Sequence, residues 1–293
     1  MELVFIGFGE AAYHISRGLR STGDISLGAY DANAQHPAKG PLIRQRAAEL
    51  GVSLFDSAQQ ACADARFVVC LTSASSALAV AQGLMPLLRP GQTYVDMNSA
   101  APTVKQSIEQ LPRASGVGFC DCAVMGTVPG NGHTVPMLLA GSGAAAFAAR
   151  FTPLGMRLSV LDAEPGAASA LKMLKSVVMK GLPQLLLESF VAAERFGVLD
   201  SLVTTLGDSL NGKTVEQLAN TFCARTLLHA ERRSAEMADV VTTLQALGVD
   251  ASLSQATQAR LAALAQHNWH SLLGADASDM GYAAAIKHLA NHA

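Results

Sequence analysis

The sequence predicts an α/β chain in two parts: a doubly wound parallel sheet, then an all-α region. Three observations carry that prediction. Short apolar runs alternate with helical patterns as far as Asp162, as expected of strand–helix–strand units whose sheet is covered on both faces. After Asp162-Ala163-Glu164-Pro165 the strand-like runs cease, and only long patterns of helical period follow. With 50% hydrophobic and 15% charged residues among 293, the chain can bury a substantial core. The change of pattern divides it into residues 1–163 and 164–293, at a break marked by Pro165 and Gly166.

The net charge of -2 and the pI near 6.4 give no electrostatic case for nucleic acid or for an anionic membrane. No uninterrupted apolar run approaches the roughly 18 residues of a membrane span. Met1-Glu2 leads straight into a strand with no basic n-region, so the expected location is the cytoplasm. The cysteines (Cys62, Cys70, Cys120, Cys122 and Cys223) are odd in number and lack disulfide or zinc spacing. Reduced thiols are expected, with Cys120 and Cys122 at half-buried strand positions, and no metal site is expected.

The first strand, Leu3 to Ile6, runs into Gly7-Phe8-Gly9-Glu10-Ala11-Ala12 and a helical pattern through Leu19. G-x-G-x-x-A between a strand and a helix is where dinucleotide binding needs it. The first glycine makes the turn, the second admits the pyrophosphate, and the small third residue packs the helix close. The helix N-terminus offers free N–H groups to phosphate. Glycine triplets also arise in ordinary tight turns, but here Ile25–Tyr30 reads as a second strand ending in Asp31. An acid at that place accepts the ribose hydroxyls of NAD and repels a 2′-phosphate, although it also suits a turn with Asn33. Lys39 and Arg44 leave room for NADP. The candidate cofactor contacts of this Rossmann-type half are thus Gly7, Phe8, Gly9, Glu10, Ala11 and Asp31.

Val52–Phe55 and Phe67–Leu71 read as further strands, Ser75–Leu88 as a helix, and Thr93–Met97 as the next strand. Leu71, Thr72 and Ser73 leave a strand's carboxyl end, where ligands bind in open α/β sheets. Two more polar clusters leave expected strand ends. In Asp96-Met97-Asn98-Ser99-Ala100-Ala101-Pro102, Asn98 and Ser99 suit a substrate carboxylate or hydroxyl, or equally a helix cap. The second cluster runs from Asp121 to Gly130. His133 follows it and reads as a surface residue in a glycine-rich loop before the strand Val135–Ala140.

The second part opens with Gly166 to Gly197, a long helix on which Leu171, Leu174, Val178 and Leu185 form an apolar stripe. Lys172, Lys175, Ser176 and Lys180 fall on another face, and Pro183 is expected to kink or divide the helix near Gly181. Thr214–Arg233, Ala235–Leu247, Leu253–Asn268 and Met280–Ala290 follow as helices. Arg232 and Arg233 suit an anion anchor or a surface ion-pair network.

Taken in order, these segments resemble the β-hydroxyacid dehydrogenases, which include 3-hydroxyisobutyrate and 6-phosphogluconate dehydrogenases. The likeness spans nearly the whole chain. The family's D-x-S-T-x-x-P segment resembles Asp96 to Pro102, and its D-A-P-V-S-G-G substrate loop resembles Asp121 to Thr127. Its G-x-G-x-x-x-K-x-x-N-N helix resembles Gly166 to Ser176, with the later glutamate and glycine at Glu188 and Gly197. The loop's proline, serine and second glycine are here Ala123, Met125 and Thr127. The second glycine before the lysine is Ala168, the paired asparagines are Lys175 and Ser176, and the family's K-D segment is replaced by Arg232 to Met237. The pattern is similar to a divergent branch with an unusual C-terminal domain.

The resemblance implies an NAD(P)-dependent oxidoreductase for a small 3-hydroxy acid or sugar acid, paired as a homodimer or higher homo-oligomer. Lys172 takes the place of the family's catalytic lysine. The substrate contacts it implies are Asn98, Ser99, Met125, Gly126, Thr127, Lys175, Ser176 and Arg232, and Asn98 also adjoins the cofactor. As a general base Lys172 must lose its proton near neutrality, which burial and the charge of Lys175 would favour, and Ser176 is placed to bond it. Imine reductases share related folds but usually lack this lysine. A sensor or scaffold that binds NAD without turnover is the reading from another class.

Overall fold

The computed structural model describes residues 1–23, 25–273 and 281–292. The chain forms two compact units, Met1–Val177 and Val178–Ala293.

The first unit is built on an eight-stranded sheet: β1 (Leu3–Ile6), β2 (Leu27–Tyr30), β3 (Ser53–Leu54), β4 (Phe67–Cys70), β5 (Thr93–Asp96), β6 (Gly118–Val124), β7 (Met137–Ala140) and β8 (Leu158–Val160). Their order is β3-β2-β1-β4-β5-β6-β7-β8. Neighbours run parallel except β6 and β7, which are antiparallel. Both faces are covered, which explains the unbroken apolar runs. Leu3 and Phe5 of β1 enter one core cluster, and Val4 and Ile6 enter the other. Helix α1 (Glu10–Thr22) buries Ala12, Ile15, Ser16 and Leu19, the spacing of one helical face. The remaining helices are α2 (Gly40–Glu49), α3 (Ala58–Ala63), α4 (Ala77–Leu84), α5 (Pro102–Glu109) and α6 (Ala144–Phe151).

Three local expectations are corrected. The helix expected over Ser75–Leu88 is α4 flanked by 3₁₀ turns at Ala74–Ser76 and Met85–Leu87, since Pro86 cannot continue the α ladder. Asp121 does not lie beyond a strand but inside β6, paired with Asp96 across the ladder. Cys120 and Cys122 are fully buried rather than half-buried, because β6 lies inside the sheet.

All five cysteines are free thiols, and only Cys223 is not buried. Burial pushes Cys62 and Cys122 up to about 12 and raises Cys70 and Cys120. A raised thiol is scarcely ionised at pH 8, so these four should react with a maleimide about 100-fold more slowly than Cys223 until the chain is unfolded. Mass spectrometry of a labelling time course checks this, and two fast sites would contradict it.

Helix α7 (Ala167–Phe196) starts in the first unit and enters the second as one helix of 30 residues, with Pro183 inside it. The expected division near Gly181 does not occur: a proline deletes one backbone bond, and the rest of the ladder persists. Gly197 ends the helix in the left-handed region at φ 81°. The stripe has helical period, but Leu171, Leu174, Val178 and Leu185 are exposed. By length and composition α7 meets the minimum for a membrane span. That is weak grounds for one, and Lys172, Lys175 and Lys180 would oppose insertion.

The second unit continues with α8 (Leu199–Leu210), which the pattern did not single out, and α9 (Val215–Leu228). A capping box opens α9, with Thr214 and Gln217 each accepting the other's backbone N–H. Next come α10 (Ala230–Ala246), α11 (Ser252–Ala265), α12 (Trp269–Leu273) and α13 (Tyr282–His292). The break between α9 and α10 falls at His229, not near Ser234. The expected start of the last helix, Met280, lies outside the described residues. Glu188 caps α11, its carboxylate accepting the N–H groups of Leu253 and Ser254 at 3.0 Å each. Ala224, Leu227, Leu264 and Trp269 form one local core, and Ala192, Val241 and Leu244 another.

Candidate functional site

The glycine loop lies at the carboxyl ends of β1, β2 and β4. Gly7 has φ 93°, and a Cβ there would sit 2.5 Å from the Leu71 carbonyl oxygen, so glycine is required. Gly9 has an ordinary φ of -79°, and a Cβ there would meet nothing within 4 Å, which leaves open space before the first turn of α1. No side chain caps that turn, so its N–H groups remain for an anion. Phe8 is fully buried in the core and offers only its main chain. Glu10 is exposed on the first turn and Ala11 half-buried.

Asp31 makes the turn with Asn33 and also reaches the glycine loop. Its Oδ1 accepts the Asn33 N–H at 2.8 Å, and its Oδ2 accepts the Phe8 N–H at 2.8 Å. The carboxylate thereby ties the glycine loop to the end of β2 and keeps lone pairs for further donors. A crevice of about 550 Å³ opens here, lined by Gly7, Gly9, Asp31, Lys39, Leu71, Thr72 and Ser73 among others. Arg44 is committed to the Ala34 carbonyl. Glycine turn, uncapped helix end and rim carboxylate together fit a dinucleotide.

The segment after β5 is held from below. Asn98 is buried, and its side chain is fully engaged: Oδ1 accepts the Thr72 N–H at 2.7 Å, while Nδ2 donates to Asp96 Oδ2 at 3.0 Å and to Cys70 Sγ at 3.2 Å. Ser99, between buried Asn98 and Ala100, is exposed. Its Oγ accepts a hydrogen bond from Lys172 Nζ at 2.5 Å. The two residues that the motifs single out, 73 positions apart, thus meet in one contact.

Lys172 is half-buried on α7, Lys175 is exposed, and Ser176 donates to the Lys172 main-chain carbonyl at 3.0 Å. Met125 is half-buried, and Gly126 and Thr127 are exposed just beyond β6. Arg232 stands on α10 of the second unit, exposed and ion-paired to Glu236. Arg233 donates to Thr226 Oγ1 at 2.7 Å. His133 is not a surface residue. It is buried against α1, where a Cβ on Gly18 would lie 2.0 Å from its Nδ1. Burial pulls this imidazole below its usual value.

Lys105 escaped the sequence reading, and so did its buried pairing with Asp96 and Asp121. Lys105 is fully buried, with Nζ 2.5 Å from Asp96 Oδ1 and 3.4 Å from Asp121 Oδ1. Asp121 Oδ2 accepts the N–H groups of Gly166 and Ser169, and Oδ1 accepts the Ser169 hydroxyl. A signal was available. Lys105 precedes Ile108 by three residues, on the face α5 buries, and two acids stand in apolar strands.

A family model described as the NAD binding domain of 6-phosphogluconate dehydrogenase matches residues 3–155. A second, the domain of unknown function DUF1932, matches residues 193–264. The crystal structure of a conserved hypothetical protein from Sinorhizobium meliloti 1021 is similar at 33% identity, covering 99% of this chain and 96% of that one, with a TM-score of 0.64. A conserved protein of unknown function, described as structurally similar to 3-hydroxyacid dehydrogenases, is 27% identical over 91% of this chain and 97% of its own, with a TM-score of 0.64. A variant imine reductase from Myxococcus stipitatus, in complex with NAD+, shares the fold at 17% identity, with a TM-score of 0.72 over 98% of each chain. The chain belongs to the β-hydroxyacid dehydrogenase family, as a member that joins an NAD-binding domain of the 6-phosphogluconate dehydrogenase type to a DUF1932 region.

Proposed function

We propose that this chain is an NAD-dependent oxidoreductase that moves a hydride between nicotinamide and a small 3-hydroxy acid or sugar acid, with Lys172 as general acid and base. The observation that carries this reading is the Lys172 Nζ to Ser99 Oγ contact at 2.5 Å, in a unit that bears a dinucleotide crevice. Oxidation of an alcohol removes a hydride from carbon and a proton from oxygen. A bound nicotinamide supplies the hydride acceptor. The protein's own task is the proton: neutral Lys172 takes it from the substrate hydroxyl, and in reverse its ammonium gives it to the carbonyl oxygen. Ser99 orients Nζ by accepting one of its hydrogens.

Around this pair, Met125, Gly126, Thr127, Lys175 and Ser176 are the proposed substrate contacts. Asn98 is proposed to serve substrate and cofactor through the loop it braces. Following NADH absorbance across a panel of 3-hydroxy acids and sugar acids tests the reading. Cofactor binding without reduction by any member would instead support an NAD sensor. Reduction of cyclic imines in place of hydroxy-acid oxidation would support an imine reductase.

Asp31 is proposed to select NAD. The wild type should bind NADH about tenfold more tightly than NADPH, and Asp31→Asn should narrow the preference to about threefold, since the amide removes the charge that repels a 2′-phosphate. Titration by fluorescence measures both, and a preference for NADPH in the wild type would refute the assignment. Exposed Leu174, Val178, Leu187 and Phe196 support a homodimer, and five free thiols fit a reducing cytoplasm.

A further inference from the structure

We propose that Lys105 is a positioning residue, a buried cation that holds the Ser99 loop and the start of the Lys172 helix in one arrangement. Its Nζ donates to Asp96 Oδ1 at 2.5 Å and to the Asp96 carbonyl at 2.8 Å, and it lies 3.4 Å from Asp121 Oδ1. All three side chains are fully buried. Each carboxylate serves a different side of the site. Asp96 accepts the Asn98 backbone N–H at 3.0 Å and the Asn98 amide at 3.0 Å, which fixes the loop ending at Ser99. Asp121 accepts the Gly166 N–H at 3.0 Å, the Ser169 N–H at 3.1 Å and the Ser169 hydroxyl at 2.7 Å, which fixes the first turn of α7. Lys172 stands three residues beyond Ser169, about one turn further on.

The physical need for the cation follows from charge. Two buried carboxylates on neighbouring strands repel, and in a low-dielectric interior that repulsion is strong. Lys105 converts it into a shared attraction, so both carboxylates hold their acceptor positions and their loops stay in register. The cation is bonded to Asp96 and lies beside Asp121, and it acts through these two carboxylates. Its importance for the reaction rests on Lys172 being the proton-transfer group, but its effect on placement is measured without turnover.

The decisive variant is Lys105→Met with Asp96→Asn. It removes one positive and one negative charge, so the cluster keeps its net charge of about -1, and methionine retains the length of the lysine stem. The readout is the rate of acetylation by acetic anhydride at Lys172 relative to Lys175 in the full chain, resolved by mass spectrometry. A general loosening of α7 would raise both rates and leave the ratio unchanged. Release of the Lys172–Ser99 bond is expected to raise the ratio by about tenfold, and a rise of less than about threefold overturns the proposal. Should the double variant fail to fold, hydrogen exchange of the wild type decides. The amides of Asn98, Gly166 and Ser169 should open as one unit, with protection within about threefold of each other, and protection differing by more than about tenfold overturns the proposal. If Lys172→Ala kept full activity while the acetylation ratio moved as expected, the catalytic assignment alone would fall.

Discussion

Replacing Lys172 by alanine is expected to lower kcat by roughly 10²–10⁴-fold while leaving the NADH Kd within about twofold. The span is what removing a positioned general base costs. The crevice of Gly7, Gly9 and Asp31 does not include Lys172, so cofactor affinity should be indifferent to the change. Lys172→Arg separates two possible duties of the side chain. Arginine keeps the positive charge and can still donate to Ser99, but it does not give up its proton in proteins. If Lys172 transfers a proton, arginine should be nearly as inactive as alanine. If it serves only as a fixed charge for a substrate carboxylate, arginine should restore most of the activity, and KM rather than kcat should separate alanine from wild type. Ser99→Ala should fall between, since it removes an orienting acceptor and leaves the base. A fully active Lys172→Ala would remove the lysine from the mechanism.

That Lys172 and Ser99 meet was legible only in part. Each was singled out by its own segment, a lysine early in a long helix and a hydroxyl after a strand. The sequence supplies no distance between residues 73 positions apart, and the sheet order closes that gap. Local features fared best. The glycine turn and the acid ending β2 depend on residues close in the chain, where backbone sterics and hydrogen bonding decide the outcome.

Features decided by tertiary burial were harder to read. Lys105 was not singled out, because its two partners lie on different strands and act only once the sheet has formed. Asp121 was placed one element too far along, because an acid inside an apolar run reads as the end of that run. His133, in a loop rich in glycine, gave no hint that Gly18 of α1 leaves a space for its ring. The stripe on α7 shows the converse limit. Period alone identified the helix, yet period does not say what covers the apolar face, and Leu174 remains 66% exposed. Pro183 likewise identified a lost hydrogen bond without telling whether 30 residues of packing and ladder would tolerate it.

The two glycines of the cofactor loop should respond differently to alanine, and the contrast tests the cofactor assignment without any substrate. Gly7→Ala should cost about 2–3 kcal/mol of stability. A left-handed φ of 93° costs an L-residue about 1–2 kcal/mol, and the new methyl, 2.5 Å from the Leu71 carbonyl oxygen, must push that carbonyl away. Leu71 N–H donates to the Ile6 carbonyl and Gly7 N–H donates to the Tyr30 carbonyl, so displacement spreads along the carboxyl ends of β1, β2 and β4. Those ends form the crevice, and the NADH Kd should rise about 100-fold with a loss of roughly 5–10 °C in Tm. Gly9→Ala meets nothing in the folded chain and keeps an ordinary φ, so stability should stay within about 1 kcal/mol of wild type, the cost of alanine at a helix N-cap. Its methyl nevertheless occupies the space through which a pyrophosphate approaches the backbone, and NADH affinity should again fall by at least about tenfold. Calorimetry with NADH on both variants measures the pair. Loss of stability and affinity together at Gly7, with loss of affinity alone at Gly9, is what a dinucleotide at this turn requires. Unchanged NADH binding by Gly9→Ala would mean that the pyrophosphate does not pass there.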